Sequence, residues 1–262
     1  MSSSLDLFLD INLIALIFIA LFAGFVKGVV GFAMPLIMFS GFILFLSQEE
    51  AISLIIIPSL VSNLLQAYGT RSLDLKRFLH HYYILLVIMV LMILITSQFY
   101  LEFSKNVIYV ILATLIFVFL YFQIRGVNFV IKKSNKQAQL IFGLIAGFFG
   151  GISGQWGPPL VIFFLSQNLK VGQFIGFQGI VYSIGSVSLL FGHLQSGVLT
   201  KDLTLLSLPL VFICCLGQLI GYMVRTFQHI DGIKKFSLIC LFAFGILLII
   251  RAVLSGFQIL NL

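Results

Sequence analysis

The sequence is short of charge. Only 9% of its 262 residues are Asp, Glu, Lys or Arg, against 61% hydrophobic, where a soluble domain carries about 25% charged residues. That deficit excludes an ordinary water-soluble fold and makes lipid the solvent in which the chain must be read. Carboxylates are scarcer still. There are eight, all in termini or in the segments between apolar runs, so no acidic side chain is placed to bind sodium or relay protons in mid-membrane. The three cysteines, Cys214, Cys215 and Cys240, lie inside apolar runs and provide neither a disulfide framework nor a metal spacing. No metal site and no cofactor are expected. No polar stretch is long enough for a second, soluble domain, so residues 1–262 read as a single membrane domain. Residues 1–10 are acidic and lack a basic n-region, so the run from Ile11 reads as a retained helix rather than a cleaved signal. The net charge of +7 is assigned to basic cytoplasmic loops. The expected surroundings are a lipid bilayer, with no nucleic acid as partner.

What is present is a set of apolar runs. Spanning takes about 20 apolar residues. In the first half the runs fall at roughly 9–26, 32–46, 51–69, 79–98 and 106–124, and in the second at roughly 138–149, 158–168, 173–192, 203–224 and 236–254. The last three of each half are long enough to cross. The pair 138–149 and 158–168 is too short to cross straight and suits a hairpin of two half-helices. The pair 9–26 and 32–46 is longer and could cross fully.

Two Gly/Pro-rich breaks punctuate these runs: Ala23 to Pro35, and Gly147 to Pro159. Adding 123 to Ala23, Gly24, Phe25, Gly28, Gly31 and Pro35 gives Ala146, Gly147, Phe148, Gly151, Gly154 and Pro158 without a gap. The chain therefore reads as two copies of one unit. Repeat one is 9–124, repeat two is 138–256, and a linker at 125–137 carries Arg125, Lys132, Lys133 and Lys136 with no acid. Each unit has an odd number of crossings beyond its hairpin, so the copies are expected in opposite orientation, the inverted repeat of many secondary transporters. The fold class expected is an all-α polytopic membrane protein. Basic loops at 70–78, 125–137, 168–173 and 225–235 go to the cytoplasm by the positive-inside bias, with both termini outside. Arg251 is the exception and is expected to snorkel to the outer interface.

The breaks are where chemistry can sit. Irregular backbone at membrane depth is tolerated only when buried in protein or lining a cavity. Glycines there allow positive φ and close approach. Pro35, Pro158 and Pro159 fit the first turn of a following half-helix, whose free N–H groups and positive dipole end suit an anion. Gly28, Gly31, Pro35, Gly150, Gly151, Ser153, Gly154, Gln155, Trp156, Gly157 and Pro158 are therefore the expected lining of an oxyanion pocket. The same glycines also serve tight helix packing in membranes, and that alternative stays open. Lys27 is the one basic residue placed away from the predicted interfaces, a functional candidate in lipid unless its helix end lies at the cytoplasmic face. Polar stripes on the third run of each unit, Ser59, Asn63 and Gln66 and then Gln178, Tyr182 and Ser186, each share one helix face. They are expected to face the same cavity, or else to hydrogen-bond between helices. His193 ends a run and reads as an interfacial histidine. Gln218, between Gly217 and Gly221, reads as structural.

The G-G-x-x-G-x-x-G-P-P of the second break, with its weaker first copy, resembles the TauE/SafE sulfite exporter family, the TSUP permeases. Gly150, Gly151, Gly154, Gly157, Pro158 and Pro159 match the second motif, and Gly24, Gly28, Gly31 and Pro35 the first. The first copy has Lys27 where the second has Gly150. The resemblance covers nearly the whole chain. It implies a small carrier of the prokaryotic inner membrane whose substrate is a small anion, sulfite, a sulfonate or a similar organosulfur compound. Alternating access between the two repeats is the expected mechanism. An anion channel is the alternative. An intramembrane enzyme would need a His, Asp or Glu cluster within the helices, and none is seen, so no enzymatic activity is expected. A homodimer is left open.

Overall fold

The computed structural model describes residues 11–68, 75–125, 135–167, 169, 171–227, 238–239, 242–243 and 245–254. Among them there is helix and no strand. Most of the linker at 125–137, the loop around 70–74 and part of the last run lie outside the described residues. The helices are α1 (Ile11–Val30), α2 (Met34–Phe42), α3 (Gln48–Tyr68), α4 (Leu75–His81), α5 (Tyr83–Gln98), α6 (Lys105–Arg125), α7 (Lys136–Ser153), α8 (Gly157–Leu165), α9 (Val171–Gln195), α10 (Lys201–Phe227) and α11 (Gly245–Leu254).

Helices α1, α3, α9 and α10 are each long and apolar enough to cross a membrane, and α4 with α5 forms a fifth such unit bent by 74° at Tyr82. Their outward faces are apolar: Phe212, Ile14 and Phe18 are 79%, 72% and 67% exposed, a composition that lipid tolerates and water does not. This is a polytopic all-α membrane protein.

Both breaks open in the same way and differ at the next helix start, where Ala33 is left-handed at φ +76° and Trp156 is right-handed at φ −76°. Helix α1 ends as the Gly31 N–H donates to Lys27 O over 2.7 Å, with Gly31 at φ +87°. Helix α7 ends as the Gly154 N–H donates to Gly150 O over 2.7 Å, with Gly154 at φ +70°. A left-handed residue that closes a helix is where glycine is favoured. Each chain then turns and starts a nine-residue helix with proline in its first turn. Adding 123 to the bounds 34 and 42 of α2 gives 157 and 165, the bounds of α8. Whether the first broken pair, 9–26 and 32–46, crosses fully or re-enters was open from the sequence; its second run ends early. It stops at Phe42 as a half-helix equal in length to its partner, because residues 43–47 form a turn.

The packing follows the same correspondence. Helix α10 lies against α1, and α5 lies against α7; α3 packs on α9 and α10, and α9 packs on α3 and α5. Gly24 and Gly28 face the backbone of Cys214, Gln218 and Tyr222, while Gly147 and Gly151 face the backbone of Met89, Ile93 and Ser97. Adding 125 to Met89, Ile93 and Ser97 gives Cys214, Gln218 and Tyr222. The α1–α10 and α7–α5 contacts thus share one pattern of glycine against backbone, offset by 123 on one side and 125 on the other. Gly217 and Gly221 in turn face the backbone of Leu21, Phe25 and Val29, so the α1–α10 contact has small residues on both sides.

A Cβ at position 28 would collide with the Gln218 carbonyl and lie 2.8 Å from the Tyr222 nitrogen, whereas one at 172 would meet nothing within 4 Å. Overpacking of this kind costs about 1–3 kcal/mol. Gly28→Ala should therefore lower the melting temperature in detergent, and Gly172→Ala should leave it unchanged. Equal melting curves would contradict this packing.

Candidate functional site

The break of the first repeat, the break of the second, and the middle of α3 and α9 converge on one cavity. It is lined by Lys27, Phe32, Ala33, Pro35, Leu36, Asn63, Gly154, Gln155, Trp156, Gly157, Pro158 and Tyr182. About 20 Å³ of it is open to the centre of a water molecule, and roughly 10–15 Å³ by that measure holds one water. The space between the two elbows is thus water-sized.

Lys27 is 2% exposed. Its Nζ donates to Asn63 Oδ1. Asn63 is held from its other end: Nδ2 donates to Ser186 Oγ at 2.7 Å and to Tyr182 O at 3.2 Å. Those two bonds fix which way the amide points, so Oδ1 faces Lys27. Among the described residues no carboxylate is buried, Glu49 and Glu50 being half-buried and Glu102 and Asp202 exposed. The polar groups in the cavity wall around Lys27 are therefore neutral.

The half-helices bring N–H groups to the same place. The first-turn donors have no acceptor within their own helix. Pro35 removes one from α2, and Pro158 and Pro159 remove two from α8. Met34 and Leu36 in α2 and Gly157 in α8 keep theirs. The donor set is smaller than a proline-free N-terminus would offer, and Lys27 compensates with charge.

Trp156 is 2% exposed, a cavity wall rather than an interface anchor. Its ring sits in a slot formed by two glycines: a Cβ at Gly150 would lie 2.9 Å from it and one at Gly185 3.3 Å. Gln155 Nε2 donates to Ser153 O at 3.2 Å, Ser153 Oγ donates to Phe149 O at 2.8 Å, and the Tyr182 hydroxyl donates to Gly157 O at 3.4 Å. Phe32, which sequence reasoning passed over, closes the cavity with its ring edge-to-face on Phe119 of α6 at 5.6 Å.

The other expected residues lie around this core. Gly28 and Gly151 face neighbouring helices, and Gly150 faces Trp156. Ser186 acts through Asn63. Ser59 Oγ is buried without a hydrogen bond. Gln66 and Gln178 sit beside Gly31, about one turn from the cavity; a Cβ at 31 would be 2.8 Å from Gln178 Oε1 and 3.5 Å from Gln66 Nε2. Gln66 Nε2 donates to Ile175 O at 3.2 Å, while Gln66 Oε1 and the Gln178 amide make no hydrogen bond of ordinary geometry. His193 is buried in the protein, with Nε2 3.1 Å from Gly151 O and its ring against Tyr100. Gln218 joins α10 to α3: it accepts from Ser62 Oγ at 2.5 Å and donates to Ser62 O at 3.2 Å. Among the described residues no group of His, Cys, Asp or Glu could hold a metal.

The model of the sulfite exporter TauE/SafE family matches residues 16–248. The chain belongs to that family. No curated protein and no solved structure matches it. The TauE/SafE match takes in both breaks and every residue of the cavity wall, so the cavity lies within the part of the chain that defines the family. TauE/SafE proteins are transporters, and this chain is a multi-pass member.

Asn63→Leu would leave Lys27 without its acceptor, and an unsatisfied buried polar group costs about 1–3 kcal/mol. Ser186→Ala removes one of two acceptors for Asn63 Nδ2. Thermal melts should place Asn63→Leu well below Ser186→Ala. The reverse order would contradict the assigned network.

Proposed function

We propose that this chain carries small sulfur oxyanions, sulfite or an organosulfonate, across the prokaryotic inner membrane by alternating access between two inverted repeats. The observation that carries the reading is Lys27: a buried basic side chain in a cavity wall whose other polar groups are neutral. A lone charge in lipid is costly unless paired, and an anion in the cavity is the pairing it lacks. Two half-helix N-termini add dipoles of the right sign. A space that holds about one water favours a carrier over an open channel. No reaction is assigned, because the cavity brings no nucleophile and base together.

Contacts between helix ends support the topology. Tyr100 OH donates to Gln48 O at 2.8 Å, Ser53 Oγ to Val198 O at 3.0 Å, and Arg251 to Leu44 O at 3.3 Å. Gln139 Nε2 donates to His81 O at 3.0 Å. The first three join segments that the charge rule puts outside, and the fourth joins segments that it puts inside. On this reading Arg251 reaches the outer interface, and both termini lie outside.

The left-handed glycines of the two breaks suggest the gates. Gly31 is flanked by Gln66 and Gln178, and Gly154 by Leu189 and Ile55. Adding 123 to 66 gives 189, and subtracting 123 from 178 gives 55, so these are equivalent pairs on opposite sides of the cavity. One side is closed by amides, the other by an apolar contact. Rocking one repeat against the other would open each in turn, with the apolar pair on the outer side.

Labelled sulfite and methanesulfonate in proteoliposomes test the function: saturable flux of at least one is expected, and no saturable flux of any small oxyanion overturns it. For the gates, Leu36→Cys offers a thiol in the cavity wall. An impermeant maleimide added outside should label it several-fold faster when Ile55 and Leu189 are both changed to Gln. Unchanged labelling would remove the apolar pair as the outer gate.

A further inference from the structure

We infer that Lys27 is a proton site, so that one proton travels with each anion; this rests on the transport reading above. Three features of the site lead there. First, the side chain is buried in the cavity wall, where a charge with no counter-charge is expensive. Second, the groups that face it cannot supply that counter-charge without themselves titrating. On α10 these are the Cys214 and Cys215 thiols, on α9 the Tyr182 phenol, and on α3 the Asn63 amide; α2 and α8 present Pro35, Leu36 and Pro158, none of them titratable. Third, its one hydrogen-bond partner is indifferent to the proton. Asn63 Oδ1 accepts from an amine as from an ammonium, and Asn63 is locked from behind by Ser186 and Tyr182. The Nζ atom is therefore held in place through a change of protonation.

The coupling follows. In the cavity without an anion the ammonium has no counter-charge. With an oxyanion present the ammonium is paired and directs its two remaining N–H bonds at the anion. Anion and proton thus raise each other's affinity, and by linkage each does so by the same factor. The proton comes from water on the side where the anion enters, rides on Nζ, and leaves to water on the other side with the anion. No other bond is made or broken. This supplies a coupling ion to a membrane interior with no buried carboxylate among its described residues.

The test uses the purified full-length protein in proteoliposomes with an entrapped pH dye and labelled methanesulfonate or sulfite. Methanesulfonate carries no proton at neutral pH, so its uptake reports Lys27 alone, and about one proton per anion is expected. Apparent affinity should fall about tenfold per pH unit once the anion-free site loses its proton. Lys27→Arg keeps the charge and cannot release it. That variant should still exchange labelled for unlabelled anion while net uptake falls by about tenfold or more. For sulfite, which carries its own proton, the count is read as the difference between wild type and Lys27→Arg, and should be about one. Net anion uptake with no such proton, at an affinity independent of pH, overturns the inference and leaves the transport reading standing. The wild-type count decides this even if Lys27→Arg fails to fold. Absence of both net and exchange flux overturns the transport reading, and the inference with it.

Discussion

The hydrogen bond from Lys27 to Asn63 joins the first repeat's elbow to the middle of α3, and through Ser186 and Tyr182 to α9. Everything else around the cavity is arranged so that this polar point can exist in an oily interior. The neighbouring helices must come close enough to exclude lipid, which is why Gly24 and Gly28 meet the backbone of α10 and Gly147 and Gly151 meet that of α5. The elbows must expose backbone without exposing it to hydrocarbon, which is why both turn inward on a left-handed glycine. Trp156 then fills the remaining volume between α7 and α9. Polarity at the centre and tightness around it are one requirement.

The two repeats share a frame and differ in what they present. Position 27 is lysine where its equivalent, 150, is a glycine that makes room for the Trp156 ring. The charge therefore comes from one repeat and a large wall from the other. Gly31 faces two amides, and Gly154 faces two aliphatic side chains. These differences leave the bounds of α2 and α8 in register.

Much of this was legible in the residues. The doubled G-x-x-G-x-x-x-P spacing located both elbows, and the 123 offset that aligned them also relates the bounds of α2 and α8. Lys27 and Asn63 stood out because lipid makes polar residues conspicuous. What could not be read was which face of each helix a residue occupies in three dimensions. Gly28 and Gly151 serve helix contacts and Gly154 serves the cavity, though all sit in one motif, because the helix ends between them and the chain turns. Gln66 lies one turn beyond Asn63 on the same stripe and falls outside the cavity. Phe32 lines it only because Phe119 of α6 backs it, a contact between residues far apart in the chain. The contact that covers His193, the ring of Tyr100, likewise joins residues far apart in the chain.

Trp156 is the only tryptophan in the chain, and it lines the cavity, so its emission reports directly on the centre of the site. The most direct test of an anion held at Lys27 is equilibrium binding of labelled sulfite to the detergent-purified protein, with Trp156 emission recorded on the same samples. Bound label and emission change should saturate together at one Kd, and both should be lost in Lys27→Met. Saturable binding that leaves the emission unchanged, or that survives Lys27→Met undiminished, would place the anion elsewhere.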